Sequence, residues 1–171
     1  KGRTPDRDCE VLETATLLGM VCLGKTHMSE LAFSGLGLNP VTATPPNLND
    51  DKAVPGGSSS GAAASVAFGL APAAIGSDTG GSVRIPAAWN DLVGLKTTHG
   101  RLSLRGVVPL CEMFDTVGPL ARSVEDCAEL LAVLFGSGCR GASAVDVGGR
   151  LLREFGSLRH LLLADRGRCS N

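Results

Sequence analysis

Residues 56–101 read GGSSSGAAASVAFGLAPAAIGSDTGGSVRIPAAWNDLVGLKTTHGR, and this stretch decides the fold class of the chain. Residues 53–83 hold a single charged residue, Asp78, in thirty-one positions. A segment so poor in charge belongs in a protein interior, because charged side chains are rarely buried without partners. The pattern predicts a deeply buried segment, with a tightly packed helix of small residues over Ser60–Phe68 and a strand over Pro72–Ile75.

Helical and strand patterns continue on both sides of this stretch. Apolar positions spaced i, i+4, i+7 predict a helix over residues 6–18, and the apolar run MVCLG predicts a buried strand over residues 20–24. A second helix is expected to start over Ser29–Phe33, followed by a long, functional loop over residues 34–57. A near capping box predicts a helix over Ser123–Phe135. The alternation of helix and strand indicates an α/β fold.

The composition of the chain shifts after Gly136. Residues 140–171 hold six Arg and three acidic residues, and an apolar, helix-like run covers residues 151–163. No internal repeat is visible. We therefore expect residues 1–136 to form the core and residues 137–171 to form a separate C-terminal segment.

Charge and hydropathy exclude several classes of protein. The chain has 171 residues, a formal net charge of −1, 43% hydrophobic residues and 19% charged residues. This composition excludes wholesale disorder and disfavours nucleic acid as the principal partner, because no global positive field exists. No apolar run is long enough for a membrane span, and the first ten residues lack the core of a signal peptide. We expect a soluble, cytoplasmic protein that does not bind membranes.

Cysteine and histidine spacing predicts no metal site. No Cys-x-x-Cys pair occurs among the six cysteines, and the three histidines stand far apart in the sequence. Six cysteines could form three disulfides. However, Cys22 and Cys127 fall in apolar segments, where free cysteine behaves as a small hydrophobic residue, so reduced core thiols are favoured.

Two clusters rich in Gly and Ser bracket the uncharged segment, at residues 56–61 and 76–82. Paired glycines let the backbone approach a ligand and leave consecutive N–H groups pointing into a pocket, either as a phosphate cradle or as an oxyanion hole. Neither cluster matches a phosphate-binding motif. Tight turns with capping serines are the plainer alternative for each cluster alone. A serine directly after two glycines is well placed to act as a nucleophile.

The quoted stretch resembles the signature of the amidase signature family of serine hydrolases. The likeness extends through GKTHMSELAF at residues 24–33 and GVVPLCEMFDTVGPLARSVEDCAELLAVL at residues 106–134, and covers roughly residues 5–136. The resemblance implies an α/β fold with a central mixed β-sheet flanked by helices on both faces.

The resemblance also implies a Ser–Ser–Lys catalytic arrangement. Ser82 matches the nucleophile, and Ser58 matches the bridging serine, which in the family follows a cis peptide bond and relays a proton. The oxyanion hole would consist of the backbone N–H groups of Thr79, Gly80 and Gly81, together with that of Ser82. Ser58 and Ser82 are then expected to place their hydroxyl groups within hydrogen-bond reach of each other.

The catalytic lysine is the point of departure from the family pattern. In the family this lysine lies upstream and is directly followed by an acidic residue, and none of Lys1, Lys25, Lys52 and Lys96 is. Lys25 belongs to a different family motif, which we interpret as structural, and is only a weak alternative base. We therefore expect a fragment that holds two of the three catalytic residues and has little activity of its own.

Other residues have expected supporting roles. Asp78 and Arg84 could form an ion pair that braces the loop before Ser82, or Arg84 could contact substrate. Ser59, beside Ser58, is a possible supporting residue. We further expect core positions for Trp89 and Phe114, a loop position for His99 and a turn brace at Asp115.

The implied activity is hydrolysis of a carboxylic amide to the acid and ammonia or an amine, through an acyl-serine intermediate and without metal or cofactor. The partner would be a small-molecule amide, and the sequence identifies neither the substrate nor the oligomeric state. One alternative is the A subunit of a glutamyl-tRNA(Gln)/aspartyl-tRNA(Asn) amidotransferase, for which nucleic acid would be relevant. Against it, Ile85 precedes Pro86 where that pattern more often has Gln. Another alternative is an inactive fragment that serves as an interaction module.

Overall fold

The computed structural model describes residues 5–136, which form four α-helices and three strands. The expected C-terminal segment over residues 137–171, with its helix-like run, lies outside the described residues. No helix within the described part is both long and apolar enough to cross a membrane. The elements are α1 (Glu10–Leu17), a 3₁₀ turn (Glu30–Ala32), α2 (Ser60–Ala67), β1 (Ala73–Ser77), α3 (Arg84–Trp89), β2 (Val93–Gly94), β3 (Val117–Ala121) and α4 (Val124–Leu134).

The three strands form one sheet in the order β1-β3-β2. The central strand, β3, pairs antiparallel with both neighbours, with Ile75 opposite Pro119 and Val93 opposite Ala121. The α/β class is therefore confirmed. The described strands differ from a mixed sheet because β1 and β2, which run in the same direction, are separated by β3 and do not pair.

Helices cover both faces of this sheet. Alternate residues of β3 point to opposite faces, so Leu120 packs with α2 and α3, whereas Val117 packs with α1 and α4. The first core also contains Ala62, Ala63, Val66, Val83, Ala87 and Leu92, and the second also contains Val11, Ala15, Leu102, Leu130 and Leu134.

The helices expected from hydrophobic periodicity are confirmed, with small changes at their ends. The side chain of Ser123 caps α4 by accepting the N–H of Asp126 at 3.1 Å. The expected strand over residues 20–24 is wrong: this segment is exposed and pairs with no described strand. Residues 29–33 form only a 3₁₀ turn, in which Leu31 has a φ of 54°. An α-helix cannot continue through that backbone conformation.

Several side chains expected in the core are exposed. Cys22, Trp89 and Phe114 are solvent-exposed, and apolar character alone does not reveal which residues find a neighbour. The uncharged segment is buried from Pro55 to Ala64 but emerges at residues 68–70. Cys127 is buried as expected, and burial raises the pKa of its thiol to about 12.

Gly118 sets the spacing between β3 and the chain that follows β2. A Cβ at this position would lie 2.0 Å from the carbonyl oxygen of Leu95, which is far inside contact distance. Leu95 itself donates its N–H to the carbonyl of Pro119 at 3.0 Å. The backbone beside Gly118 therefore cannot move away without breaking this ladder.

Replacing Gly118 with Ala is expected to destabilise the fold by about 2–3 kcal/mol, because overpacking against backbone forces strands apart. The matched control is Gly24→Ala, where a Cβ meets nothing within 4 Å. Chemical denaturation of both variants measures the difference. Equal free energies of unfolding for the two variants would contradict this account of the sheet.

Candidate active site

The first Gly- and Ser-rich cluster forms a buried turn that leads into α2. Gly56 has a φ of 77°, and the peptide bond between Gly57 and Ser58 is cis, as the family resemblance implies. A Cβ at Gly56 would lie 2.9 Å from Cα of Pro86, and one at Gly57 would lie 2.6 Å from the backbone nitrogen of Gly37. Glycine is therefore required at both positions by close backbone approach.

The second cluster forms the loop between β1 and α3, and it lies directly against the first. The N–H of Ser59 donates to the carbonyl of Ser82 at 3.0 Å, so residues distant in sequence are adjacent in space. The hydroxyl of Ser59 also donates to the carbonyl of Ser77 at 3.3 Å. The fold thus brings the serines of the two clusters to one place.

Ser58 is completely buried, and its hydroxyl has no hydrogen-bond partner among the described residues; the same holds for Ser60. The Ser58 and Ser82 hydroxyls, which are expected within reach of each other, therefore form no hydrogen bond with each other in this structure. Ser82 is half-buried. A buried hydroxyl without a partner carries a desolvation cost of about 1–3 kcal/mol.

The carboxylate of Asp78 is the centre of the second cluster. It is fully buried and accepts hydrogen bonds from Arg84 Nε at 3.0 Å and Arg84 Nη2 at 3.1 Å. The ammonium of Lys96 lies 3.2 Å from Oδ1. The backbone N–H groups of Gly81 and Val83 donate to the same carboxylate at 2.8 Å and 3.1 Å. The ion pair between Asp78 and Arg84 expected from the sequence is present.

These contacts keep Asp78 ionised. Burial alone would raise the pKa of the carboxyl, but the Arg84 hydrogen bond, the Val83 N–H and the charges of Arg84 and Lys96 together hold that pKa below its ordinary value. The same hydrogen bond raises the pKa of Arg84. The loop before Ser82 is therefore built around a buried negative charge with two cationic partners.

The predicted oxyanion donors differ in their hydrogen bonding. The backbone N–H of Gly81 already donates to Asp78. No acceptor for the N–H groups of Thr79, Gly80 and Ser82 is found within residues 5–136. A Cβ at Gly80 would meet nothing within 4 Å, so the space beside this residue is open. The loop can present unpaired donors to a ligand.

Lys25 and Lys96 occupy different places relative to the serines. Lys25 is exposed, and its ammonium has no hydrogen bond or ion pair to any described residue. Lys96 reaches the loop before Ser82, a placement that sequence reasoning missed. The available signal was that Lys96 is the single lysine of residues 56–101.

Asp115 braces the neighbouring turn. Its carboxylate accepts the N–H groups of Leu110 at 2.8 Å and Cys111 at 2.9 Å, and also the hydroxyl of Thr79. Burial raises the pKa of Asp115, but these three hydrogen bonds and the charge of Lys96 lower it below its ordinary value. The expected turn brace is present, and it is tied directly to the loop before Ser82.

Two further residue predictions concern His99 and metal ligands. His99 is exposed, in a loop, with Nε2 at 2.8 Å from the carbonyl of Glu112. No group of three or more His, Cys, Asp or Glu residues is placed to hold a metal ion in the part of the chain that the structure describes.

A family model described as amidase matches residues 1–147. The chain belongs to the amidase family. Curated relatives include the A subunit of glutamyl-tRNA(Gln) amidotransferase from Oenococcus oeni, 46% identical over 83% of this chain and 29% of that protein. The protein of the same name from Ralstonia nicotianae is 43% identical over 88% of this chain and 31% of that protein. The chain therefore spans about a third or less of these relatives.

Solved structures of amidases share the fold of this chain. One, a crystal structure of an amidase, has a TM-score of 0.75 and 41% identity, and the match covers 78% of this chain and 31% of that one. Another, the peptide amidase in complex with the competitive inhibitor chymostatin, has a TM-score of 0.76 and 37% identity, with 88% of this chain and 33% of that one covered.

An open cavity in this amidase-family chain lies next to the cis peptide. Its volume is about 450 Å³, and its lining comes from residues 29–38 and Leu110. Ser29, at the edge of this cavity, donates its N–H to the carbonyl of Ser58 at 3.0 Å. The cavity therefore borders the segment that holds the first serine cluster.

Replacing Asp78 with Asn is expected to destabilise the chain at neutral pH by about 3 kcal/mol or more, because two cations then lose a buried partner. The folded-state pKa of Asp78 is lowered, so its stabilisation is fully present above the unfolded carboxyl pKa of about 4 and is lost as pH falls through the folded value. The variant should therefore lose less stability on acidification than the wild type.

The control is Glu10→Gln, which breaks an ion pair whose side chains are 40% and 77% exposed. It should cost less than about 1 kcal/mol. Urea unfolding between pH 3 and pH 7 measures both variants. A wild type and an Asp78→Asn variant with parallel pH profiles would contradict the assigned charge state.

Proposed function

We propose that the protein to which this chain corresponds hydrolyses carboxylic amides, with Ser82 as the nucleophile. The observation that carries the proposal is the contact between the two serine clusters, where the N–H of Ser59 meets the carbonyl of Ser82 beside the unpartnered hydroxyl of Ser58. Turns with capping serines would not need two buried hydroxyls without acceptors. Membership in the amidase family supports the same chemistry.

In this mechanism the Ser82 oxygen attacks the amide carbonyl and loses its proton through Ser58. The carbonyl oxygen becomes an oxyanion, which the free N–H groups of Thr79, Gly80 and Ser82 stabilise. The N–H of Gly81 stays hydrogen-bonded to the carboxylate of Asp78, and this bond holds the loop in place. The carbon–nitrogen bond then breaks, and the leaving ammonia or amine takes up the relayed proton. Water hydrolyses the acyl-serine to the free acid.

A base must act on Ser58, since serine hydroxyls are weak nucleophiles at neutral pH. The partner expected for its buried hydroxyl is a lysine amine from outside the described residues. Lys25 remains the weak alternative, and its exposed ammonium has no described contact with Ser58. Lys96 donates to the carbonyls of Asp78 and Thr79 in the loop between β1 and α3, and it is not proposed as the base.

A second candidate function is that of the A subunit of an amidotransferase. Its support is the name of the curated relatives, at 43–46% identity. The same acyl-serine chemistry would then act on the side-chain amide of an amino acid, and the ammonia would pass to a partner protein. Ile85 before Pro86 favours the simpler amidase. Release of ammonia from glutamine, but not from simple aliphatic or aromatic amides, would select the amidotransferase function.

Replacing Ser82 with Ala in the intact protein to which this chain corresponds is expected to abolish amide hydrolysis and labelling by a fluorophosphonate, because the Ser82 oxygen would displace fluoride from phosphorus. The control is Ser65→Ala, whose hydroxyl bonds the carbonyl of Ala62 within α2 and should not affect labelling. Intact-mass spectrometry counts the adducts. Full-rate labelling of the Ser82 variant would move the nucleophile to Ser59 or Ser60, and no labelling of the wild type would favour a non-catalytic interaction module.

The 171-residue chain itself is expected to show little amidase turnover. General base catalysis commonly contributes about 10²–10⁴-fold, and no described lysine is placed to activate Ser58. Ammonia release from simple amides would be measured for the chain and for its Lys25→Ala variant. Rapid turnover that disappears in the variant would show that Lys25 is the base after all.

A further inference from the structure

Lys96 is a cation that the Ser–Ser–Lys arrangement does not use, yet it lies directly behind the oxyanion loop. Its ammonium donates to the carbonyl oxygens of Asp78, Thr79 at 3.2 Å and Phe114 at 2.9 Å. It also lies 3.2 Å from the Asp78 carboxylate. An ammonium has three N–H groups, so the three carbonyl oxygens are enough to use its full donor capacity.

The backbone of Lys96 is held firmly in place. The preceding residue, Leu95, donates its N–H to the carbonyl of Pro119 at 3.0 Å, and the hydroxyl of the following residue, Thr97, donates to the carbonyl of Val117 at 2.8 Å. Both acceptors belong to β3. The ammonium therefore reaches the loop from a backbone position that is held against the central strand of the sheet.

Because Lys96 holds these carbonyl oxygens, the geometry of the peptide bond determines where the N–H groups of the proposed oxyanion hole point. The peptides that join Asp78 to Thr79 and Thr79 to Gly80 are trans, so the C=O and N–H of each point in opposite directions. Because both carbonyls point to Lys96, the N–H groups of Thr79 and Gly80 point away from it. These are two of the three donors that have no acceptor among the described residues.

The two peptides do not depend equally on Lys96. The carbonyl of Asp78 also accepts the N–H of Thr116 at 3.1 Å and its hydroxyl at 2.9 Å, so Thr116 can hold this peptide without the lysine. The carbonyl of Thr79 has Lys96 as its described partner. The orientation of the Gly80 N–H, in the peptide that joins Thr79 to the flexible Gly80, is therefore the one most sensitive to Lys96.

We propose that Lys96 is a positioning residue, whose ammonium holds the Thr79 carbonyl so that the N–H of Gly80 faces the reacting carbonyl oxygen. This proposal rests on the proposed function of Ser82 and its loop. The positive charge also polarises the peptide units, which strengthens their N–H groups as donors. Lys96 touches neither substrate nor the Ser82 hydroxyl in this role.

The test uses phenylboronic acid, which adds to a serine oxygen and places a boron hydroxyl where the oxyanion would lie. Binding to the intact protein to which this chain corresponds is measured by ¹¹B NMR, and the Gly80 and Thr79 amides are followed by ¹⁵N NMR. Wild type, Ser82→Ala, Lys96→Met and Lys52→Met are compared. Lys52 is exposed and outside the site, so its variant controls for the loss of one charge.

Lys96→Met is expected to weaken boronate binding about tenfold or more, since loss of one oxyanion donor costs about 10²–10³ in rate. The Gly80 amide should shift strongly and that of Thr79 only slightly, which a general loosening of the fold would not produce. Lys52→Met should match the wild type. Unchanged binding, or equal shifts at both amides, would overturn the proposal.

Failure of the proposed function gives a different result, namely no Ser82-dependent adduct on the wild type. The Lys96 proposal is then decided by the ¹⁵N chemical shifts of the two amides alone. An unchanged chemical shift of the Gly80 amide in Lys96→Met overturns it. If Lys96→Met does not fold, Lys96→Arg replaces it. The planar guanidinium cannot converge on the same three carbonyls, so the proposal requires a shifted Gly80 amide and weaker boronate binding, and wild-type values for both would overturn it.

Discussion

The buried carboxylate of Asp78 is the interaction on which the rest of the site depends. An unpaired carboxylate in a protein interior is strongly disfavoured, so its surroundings must supply charge and donors. Arg84 approaches it from the start of α3 and Lys96 from the connection between β2 and β3, and the N–H groups of Gly81 and Val83 donate to the same carboxylate. The loop between β1 and α3 therefore has little freedom to change shape around this charge.

The same arrangement explains why the loop can leave donors unpaired. The Asp78 carboxylate accepts the N–H of Gly81, and the Asp115 carboxylate accepts the hydroxyl of Thr79. The ammonium of Lys96 donates to the carbonyl oxygens of Asp78 and Thr79. What remains free is the row of N–H groups near Ser82. Preorganised donors of this kind stabilise a developing negative charge without rearrangement during reaction. Rigidity supplied by ion pairs thus produces a candidate catalytic surface.

Much of this could be predicted from the sequence where local signals were strong. The periodicity of α4 and its Ser123 cap, the uncharged helix α2 and the two serine clusters depend on residues close together in the chain. The failures have a different cause. The run at residues 20–24 is apolar but has no described strand to pair with, and Trp89 is still 42% exposed. Pairing and burial depend on residues distant in sequence, which periodicity does not report.

The position of Lys96 was missed for the same reason. Lys96 is eighteen residues from Asp78 in the sequence, and the two residues meet because β2 returns the chain beside β3. The contact of Ser59 with Ser82 likewise requires β1 to carry the chain back along the sheet. The long motif resemblance proposed roles for the two serines, because the family signature records the outcome of such contacts without showing the contacts themselves.

The central claim is that Ser82 and the free N–H groups before it form one reaction site. The most direct test is a crystal structure of the intact protein to which this chain corresponds, after reaction with a fluorophosphonate. The account predicts phosphorus bonded to the Ser82 oxygen and a phosphoryl oxygen within about 3.2 Å of the Thr79 and Gly80 nitrogens. An adduct on another serine, or a phosphoryl oxygen turned to solvent with those N–H groups unengaged, would contradict it.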